Sequence, residues 1–445
     1  MAQNFLSCDR EQEWLLPPSL REWLPAGHLA WFVLEAVEEL DLSAFYRAYR
    51  GDGQGRAAHE PAMMTALFLY AYAVGERSTR AIERRCTDDV AFRVITANRV
   101  PDHTTIARFR VRHEQALAGL FSDVLVLCAR AGMASVGTVA VDGTKLHANA
   151  SLDANRSYEA IRGDVERYFR ESAEIDAAED ELYGDARGDE LPAELADPST
   201  RRQALQRAKA ELEAEHAARR AEWDAKAERH REHHQQTGRR VPGRPPSMPP
   251  QDDALFASKR NLTDLDSRVQ RDKGALIQGY NAQAVVAESQ VIIAADITNS
   301  AADGRQLEPM ITAARRELQT LGLADTLDAV LADNGYWNTA QISALHEQGL
   351  NPIVAPAAEH RSTPRRKATK QGPQADRIKA LLATEQGDAL YRRRKQIIEP
   401  VFAHIKYLRG IDRLARRGLQ ACQAEWQLIA ATHNLLKLYR APATT

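Results

Sequence analysis

The sequence has few features of a secreted, membrane-spanning or zinc-binding protein. No two of its four cysteines form the Cys-x-x-Cys pair of a zinc or redox site. No apolar run approaches the roughly 18 to 20 residues that a transmembrane helix needs. The N-terminal segment lacks a basic stretch followed by an apolar core, so no signal peptide is expected. These absences predict reduced thiols, a cytoplasmic location and no membrane partner.

An excess of positive charge is also missing, because 59 Lys and Arg residues are balanced by 61 Asp and Glu residues. A nucleic-acid-binding protein of this composition must therefore concentrate its basic residues locally. One segment does so, since nine Lys or Arg residues stand against two acidic residues between Tyr391 and Gln420. A local cluster of this kind is typical of a surface that contacts a phosphate backbone.

The first 134 residues have the pattern of a helical domain. Pro61 is suited to the first turn of a helix, and the segment Pro101-Asp102-His103-Thr104 predicts the start of a long helix that carries Phe121. Short helices joined by tight turns fit a helix-turn-helix module that binds DNA. Arg108 and Arg112 share one face of the last helix. DNA-end recognition and a solvated helix face explain these two arginines equally well.

From Thr138 the pattern changes to that of buried strands. Thr138 to Val141 is a short β-branched run, which we expect Asp142 to end. Gly279 to Glu288 and Val291 to Ile297 predict a hairpin, and Asp328 to Asp333 predicts another buried strand.

Helices are predicted between the later strands. Asp303 can cap a helix that carries Leu307 on its apolar face. A helix from Thr339 to Gln348 leads to a strand from Pro352 to Ala355, and a last helix spans Ala424 to Tyr439. Strands that come first in a run and then alternate with helices predict an α/β core with a mixed sheet.

Polar segments interrupt this core. Residues 151–237 predict long solvated helices, Val241 to Pro250 predict a proline-rich linker, and Glu359 to Gln374 predict a basic loop. The predicted domains are a helical DNA-binding domain at residues 1–134, a catalytic domain at residues 135–150 and 265–440, and a helical insertion with its linker at residues 151–264.

Two aspartates follow predicted buried strands, Asp142 in TVAVDGTK and Asp333 in AVLADNGYW. Ligands gather at the carboxyl ends of strands in α/β sheets. Two carboxylates that meet there repel each other unless a cation lies between them, and Mg²⁺ prefers such oxygen ligands. Either aspartate alone is more simply explained as a turn residue. A third acid, Glu399, lies in the basic segment with Lys406 two helical turns later, and it favours the metal site.

These motifs resemble those of the DDE transposases of bacterial insertion sequences, particularly the group with a Tyr-Arg-Glu-Lys signature. VAVDGTKLHANAS resembles the strand of the first acid, VLADNGYW that of the second, and YRRRKQIIEPVFAHIK the segment of the third. DSRVQRDKGALIQGYNAQAVV and VPDHTTIARFR resemble further parts of the same proteins. The signature leaves three residues between its Arg and its Glu, whereas four residues separate Arg394 from Glu399. Arg394 and Lys395 therefore both remain candidates for a phosphate contact.

The resemblance implies an RNase H-like mixed-sheet catalytic core with an N-terminal all-helical domain. It implies DNA cleavage and strand transfer through two Mg²⁺ ions, for which Mn²⁺ can substitute, held by Asp142, Asp333 and Glu399. The implied partners are double-stranded DNA, as terminal inverted repeats and target DNA, and a second copy of the chain in a homodimer on DNA. A nucleoid-associated location in a bacterium is implied as well.

Several basic residues are predicted to contact DNA, and two other functions stay open. The predicted contacts are Tyr391, Arg394, Lys395, Lys406, Lys145, Arg108 and Arg112. Tyr391 is disfavoured as the nucleophile of a covalent recombinase, because its neighbourhood lacks the clustered Arg and His residues of such chemistry. A DNA-binding protein that has lost catalysis and a nuclease that does not join strands could use the same scaffold. The presence of all three acids favours an active enzyme.

Overall fold

The computed structural model describes residues 19–49, 57–134, 136–165, 198–238, 258–356 and 372–441. The expected proline-rich linker from Val241 to Pro250 lies outside the described residues. The same is true of nearly all of the expected basic loop from Glu359 to Gln374.

The described residues that precede the sheet are helical, as expected. The helices are α1 (Leu29–Glu38), α2 (Ser43–Tyr46), α3 (Pro61–Ala73), α4 (Thr79–Asp88), α5 (Val90–Ile95), α6 (His103–Arg112) and α7 (Glu114–Arg130), after a 3-10 turn at Leu20–Glu22. Pro61 occupies the first turn of α3, and the Asp102 side chain accepts a hydrogen bond from the Thr105 amide. The expected single helix through Phe121 is wrong, because the backbone leaves helical geometry at His113, whose buried ring packs on Phe109.

The rest of the described chain combines strands and helices. The strands are β1 (Thr138–His147), β2 (Asn155–Ser157), β3 (Lys259–Asn261), β4 (Arg268–Asp272), β5 (Ala275–Ala287), β6 (Ile292–Thr298), β7 (Ala329–Ala332) and β8 (Asn351–Val354). The helices are α8 (Pro198–Thr237), α9 (Leu307–Thr320), α10 (Thr339–Glu347), α11 (Pro373–Leu382), α12 (Glu385–Ala403) and α13 (Leu419–Tyr439). Short helical turns lie at Leu152–Ala154, Ala324–Thr326 and Asn334–Tyr336, and a π-helix at His404–Leu408 follows α12.

The main sheet confirms the expected mixed sheet of an RNase H-like core. It runs β6–β5–β1–β7–β8, and β4 pairs with the same edge of β5 as β6 does. Strands β1, β7 and β8 are parallel, whereas β5 is antiparallel to β1, β4 and β6. The expected hairpin is present, and Gln290 adopts a left-handed conformation in its turn.

Strand β1 is longer than the sequence indicated. We expected Asp142 to end it, but β1 continues to His147. The reason is that β5 is long enough to pair with β1 along its whole length, from Val139 opposite Ala287 to His147 opposite Gly279. Only the parallel partner β7 stops early, after Val141 has paired with Ala332.

Helix α13 joins the helical region to the sheet. It packs against α3, α7 and β6, and most of its length is buried in one continuous apolar core. The indole of Trp426 is fully buried and donates a hydrogen bond to the backbone carbonyl of Gln283 in β5. None of the helices within the described ranges is long and apolar enough to cross a membrane.

The described part of the insertion is helical, but it is not wholly solvated. Leu205 and Leu212 of α8 are buried in a small second core with Tyr158, Ile161 and Val165. The same half of α8 forms an ion pair of 2.6 Å from Glu215 to the buried Arg260, next to the short β2–β3 pair that the sequence did not indicate. The second half of α8 is mostly exposed.

Replacement of Gly75 tests the junction between α3 and the C-terminal part. Gly75 has φ +85°, and a Cβ atom there would collide with the carbonyl oxygen of Arg409. Gly132 has φ +72° with open space around it, so it is a matched control. Gly132→Ala should lower the free energy of unfolding by about 1 kcal/mol through left-handed strain. Gly75→Ala should lower it by a further ~1–3 kcal/mol through overpacking. Urea unfolding measures both, and equal losses would contradict this account.

Candidate active site

Two aspartates lie side by side because of the register of the parallel strands. Val141 of β1 pairs with Ala332 of β7 at the last position of the ladder between these strands. Asp142 follows Val141, and Asp333 follows Ala332, so the two aspartates are neighbours. Each carboxylate also makes a local turn bond. Asp142 Oδ1 accepts from the Gly143 amide at 2.8 Å, and Asp333 Oδ1 accepts from the Gly335 amide at 2.7 Å. The turn role and the shared site therefore occur together.

The electrostatics of Asp142 are those of a crowded acid. Burial, followed by the charge of Asp333, raises the pKa of Asp142 to about 7, and Asp303 adds to this effect. The Gly143 amide and Arg394 act in the opposite direction. The Arg394 Nη1 atom lies 3.6 Å from Asp142 Oδ2, and Arg394 is itself buried. A cation beside the pair would relieve the repulsion that the pKa reflects.

A third aspartate, which the sequence interpretation missed as a site residue, belongs to this group. We expected Asp303 to cap α9, but α9 begins at Leu307 without a side-chain cap. Instead, Asp303 Oδ1 accepts hydrogen bonds from Asn281 Nδ2 at 2.7 Å and from Gln283 Nε2 at 2.9 Å. Both amides are buried in β5. The available signal was the pair of amides, Asn281 and Gln283, at alternate positions of a predicted strand.

Two glycines allow Asp303 to approach the other acids. A Cβ atom on Gly143 would collide with Gln283 Nε2, and it would lie 2.7 Å from Asn281 Oδ1 and 3.1 Å from Asp303 Oδ1. A Cβ atom on Gly335 would lie 2.8 Å from Asp333 Oδ1 and 3.5 Å from Asp303 Oδ2. The carboxylates of Asp303 and Asp333 therefore lie against the same glycine.

Helix α12 brings part of the predicted signature to the acids. Arg394 contacts Asp142, and the buried Tyr391 donates a hydrogen bond of 3.3 Å to the carbonyl of Ala332, directly before Asp333. A phosphate contact by Tyr391 would require that bond to be given up. Lys395 is exposed, so Arg394 is the member of that pair that lies beside the acids.

Glu399 lies elsewhere on the same helix. It is exposed, and among the described residues it has no hydrogen bond or ion pair. Arg394 and Glu399 are five residues apart, which is about 140° around an α-helix. A helix that buries Arg394 against Asp142 therefore turns Glu399 to another side. Its place among the metal ligands stays a prediction.

Two predicted lysines lie along β1 beyond the acids. The Lys406 ammonium, on the π-helix, donates to Thr144 Oγ1 at 3.3 Å and to the Lys145 carbonyl at 2.8 Å. It also lies 3.5 Å from a carboxylate oxygen of Asp272. Lys145 donates a hydrogen bond of 3.0 Å to the Ala301 carbonyl. The pKa of Lys145 is lowered, because burial outweighs the opposite effect of the Asp303 and Asp142 charges. Positive charge therefore lines the strand that carries Asp142.

Arg108 and Arg112 lie in the helical region, apart from the acids. Both are exposed on α6 and line a cleft of about 890 Å³. Arg112 donates a hydrogen bond of 2.7 Å to the Ala48 carbonyl, and its guanidinium lies over the ring of Tyr49. Arg112 therefore also has a structural role, whereas Arg108 makes no hydrogen bond or ion pair within the described residues.

The oxygen atoms around the three aspartates are of the type that divalent cations bind. Within the described ranges, no three His, Cys, Asp or Glu side chains are arranged to hold a metal ion as they stand. The carboxylates of Asp142, Asp333 and Asp303 nevertheless supply the oxygen donors that Mg²⁺ and Mn²⁺ take. A buried oxygen without a partner, Asn281 Oδ1, points into the same space above Gly143. Carboxylates that repel one another spread apart when no cation lies between them.

Two family models match parts of the chain. Residues 237–435 match the transposase DDE domain family, and residues 18–112 match the transposase domain family DUF772. No curated protein and no solved structure matches the chain. The two matches cover most of the helical region and every strand of the main sheet except β1, so Asp142 lies outside them, and they support a DDE-type transposase. This family implies DNA binding and dependence on a divalent metal.

The raised pKa of Asp142 predicts a pH-dependent cost. The folded pKa is about 7 and the unfolded value is 3.8, so the folded state binds more protons between these values. Its free energy of unfolding should therefore fall as pH rises through that window. In EDTA, Asp142→Asn should gain about 2 kcal/mol relative to wild type between pH 4.5 and pH 8. Urea unfolding at both pH values measures this gain. A difference that is independent of pH would contradict the shift, and the exposed Asp325→Asn is the control.

Proposed function

We propose that this DDE-type transposase cleaves DNA strands at the ends of an insertion sequence and joins the freed ends to target DNA. The observation that carries the proposal is the pairing of Val141 with Ala332, which makes neighbours of Asp142 and Asp333. Two half-buried aspartates, one of which has a pKa raised to about 7, have little structural value without a cation. The family matches supply the reaction class.

Asp142 and Asp333 would hold the metal, with Mg²⁺ as the proposed ion, two ions as the proposed number and Mn²⁺ as a substitute. When bound, such ions activate the attacking oxygen and stabilise charge on the phosphate in an in-line displacement. Arg394 would orient Asp142 through their ion pair. A DNA phosphate that displaces part of this ion pair would then meet the positive charge of Arg394. Lys145 and Lys406, along β1, would hold the DNA strand beside the acids.

Glu399 is proposed as the third acid because α12 packs against both β1 and β7, the strands of the two aspartates. Its exposed side chain has no partner to give up within the described residues. A rotation of the C-terminal turns of α12 on DNA binding, through much of the roughly 140° that separates Glu399 from Arg394 on the helix, would turn it toward the acids. The π-helix that follows Ala403 is a less regular segment that can absorb such a rotation.

Recognition of the DNA ends is assigned to the helical region and the exposed side of α12. Arg108 and Arg112 would contact the phosphate backbone from the α6 face, and Lys395 would do so from α12. Tyr391 would join these contacts after giving up its hydrogen bond to the Ala332 carbonyl. The terminal inverted repeats and the target DNA are the proposed partners. Because two ends must be brought together for joining, we propose a homodimer on DNA.

The reaction itself provides the test. The full chain is incubated with Mg²⁺ and a linear DNA that carries the sequences flanking its coding region, together with a supercoiled target plasmid. Wild type should nick the ends and join them to the target. Asp142→Asn, Asp333→Asn and Glu399→Gln should each fall below about one hundredth of that activity, because each removes charge stabilisation at the transition state.

Asp325→Asn is the matched control, since Asp325 is exposed in a short 3-10 helix that precedes β7, at the opposite end of that strand from Asp333. It should act like wild type. Full activity in Asp142→Asn or Asp333→Asn would overturn the site, and full activity in Glu399→Gln alone would remove only the third acid. Nicking without joining would instead favour the nuclease, and tight DNA binding without any cleavage would favour the DNA-binding protein.

A further inference from the structure

We propose that Asp303 is an additional carboxylate of the metal site, and that it binds the cation together with Asp142 and Asp333 before DNA arrives. The inference rests on the proposed function and deepens it. It assigns the cation site of the free protein to Asp303 rather than to Glu399.

The two oxygens of Asp303 are not equivalent. Oδ1 accepts two hydrogen bonds, from Asn281 Nδ2 and Gln283 Nε2. Oδ2 lies 3.5 Å from the position of a Cβ atom on Gly335, on the side of Asp333. One oxygen therefore anchors the side chain to β5, and the other is left to bind a ligand next to Asp333.

The anchoring amides are held in one orientation. The buried hydroxyl of Tyr336 hydrogen-bonds to Gln283 Oε1, so Gln283 Nε2 points to Asp303. Asn281 Nδ2 faces two acceptors, Asp303 Oδ1 and the Ser300 carbonyl, which fixes that amide as well. Hydrogen bonds to a carboxylate favour its ionised form. This arrangement holds a negative charge beside two other carboxylates.

A buried acceptor without a donor gives the second, independent indication. Fixing Asn281 in this orientation leaves its Oδ1 without any hydrogen bond, although the residue is fully buried. An unpaired buried acceptor costs about 1–3 kcal/mol. Asn281 Oδ1 points to the space above Gly143, next to Asp142, and a neutral carbonyl oxygen is a good ligand for a hard cation or for its bound water.

A purely structural role explains less of this arrangement. A carboxylate that only anchors the loop before α9 would need the two amides, but it would not need to share Gly335 with Asp333. It would also place a third negative charge beside Asp142 and Asp333, which is a cost without a cation. A divalent cation bound among these oxygens offsets that cost and satisfies Asn281 Oδ1.

The test is Mn²⁺ binding to the full-length free protein, measured by electron paramagnetic resonance of the unbound ion. Asp303→Asn keeps an oxygen for the two amide donors and replaces Oδ2 by an NH₂ group, so it removes the ligand and preserves the anchor. It should weaken Mn²⁺ affinity by about tenfold or more. Glu399→Gln and Asp325→Asn should leave the affinity unchanged. The rise in Tm on addition of Mn²⁺ should be smaller for Asp303→Asn than for wild type, and it should equal that of wild type for Glu399→Gln and Asp325→Asn.

The outcomes separate this inference from the proposed function. Weakening by Asp142→Asn and Asp333→Asn but not by Asp303→Asn would overturn the role of Asp303 and leave the proposed site intact. Unchanged binding in all three variants would overturn the site itself. If Asp303→Asn fails to fold, the wild-type chain is used instead. Fe²⁺ is bound in place of Mn²⁺, and the radicals that it generates cut the backbone next to the residues that bind it. Cuts beside Asp142, Asp303 and Asp333 support the inference, and cuts beside Glu399 in place of Asp303 overturn it.

Discussion

The parallel pairing of β1 with β7 is the constraint on which the rest of the site depends. It makes neighbours of Asp142 and Asp333, although 190 residues separate them in the sequence. The two strands diverge directly afterwards, since β7 ends at Ala332 while β1 continues along β5. An open edge is thereby created at the point where the two carboxylates meet. Like charges at this distance favour a cation between them, and this preference underlies the proposed chemistry.

The remaining structure holds this charged edge in place. Helix α13 buries Trp426 against β5 and packs on the helical region, so the sheet and the N-terminal helices share one core. Helix α12 brings Arg394 to Asp142 and fixes the end of β7 through the Tyr391 hydroxyl. The amides of β5 hold Asp303 on the other side. Packing and hydrogen bonds therefore restrain every described group around the acids, as catalysis by preorganised charge requires.

Local patterns in the sequence predicted much of the fold and part of the site. The β-branched run before Asp142, the apolar run before Asp333 and the turn at Gln290 each reflect short-range rules, and the structure has strands and a hairpin there. The predicted length of β1 was wrong, because its real length depends on pairing with β5, which lies more than 130 residues later in the chain. The role of Asp303 was missed for a similar reason. A capping aspartate and an aspartate anchored by distant amides look alike in sequence.

The orientation of α12 could not be predicted from the signature either, because a single residue of spacing changes the helix face. With four residues between Arg394 and Glu399, only Arg394 lies beside the acids in the free protein. Anomalous diffraction from crystals grown with Mn²⁺ shows directly whether Asp142 and Asp333 hold a divalent cation. We predict an anomalous peak between these two carboxylates. A well-ordered site with no peak there, or a peak bound only elsewhere on the chain, would contradict this prediction.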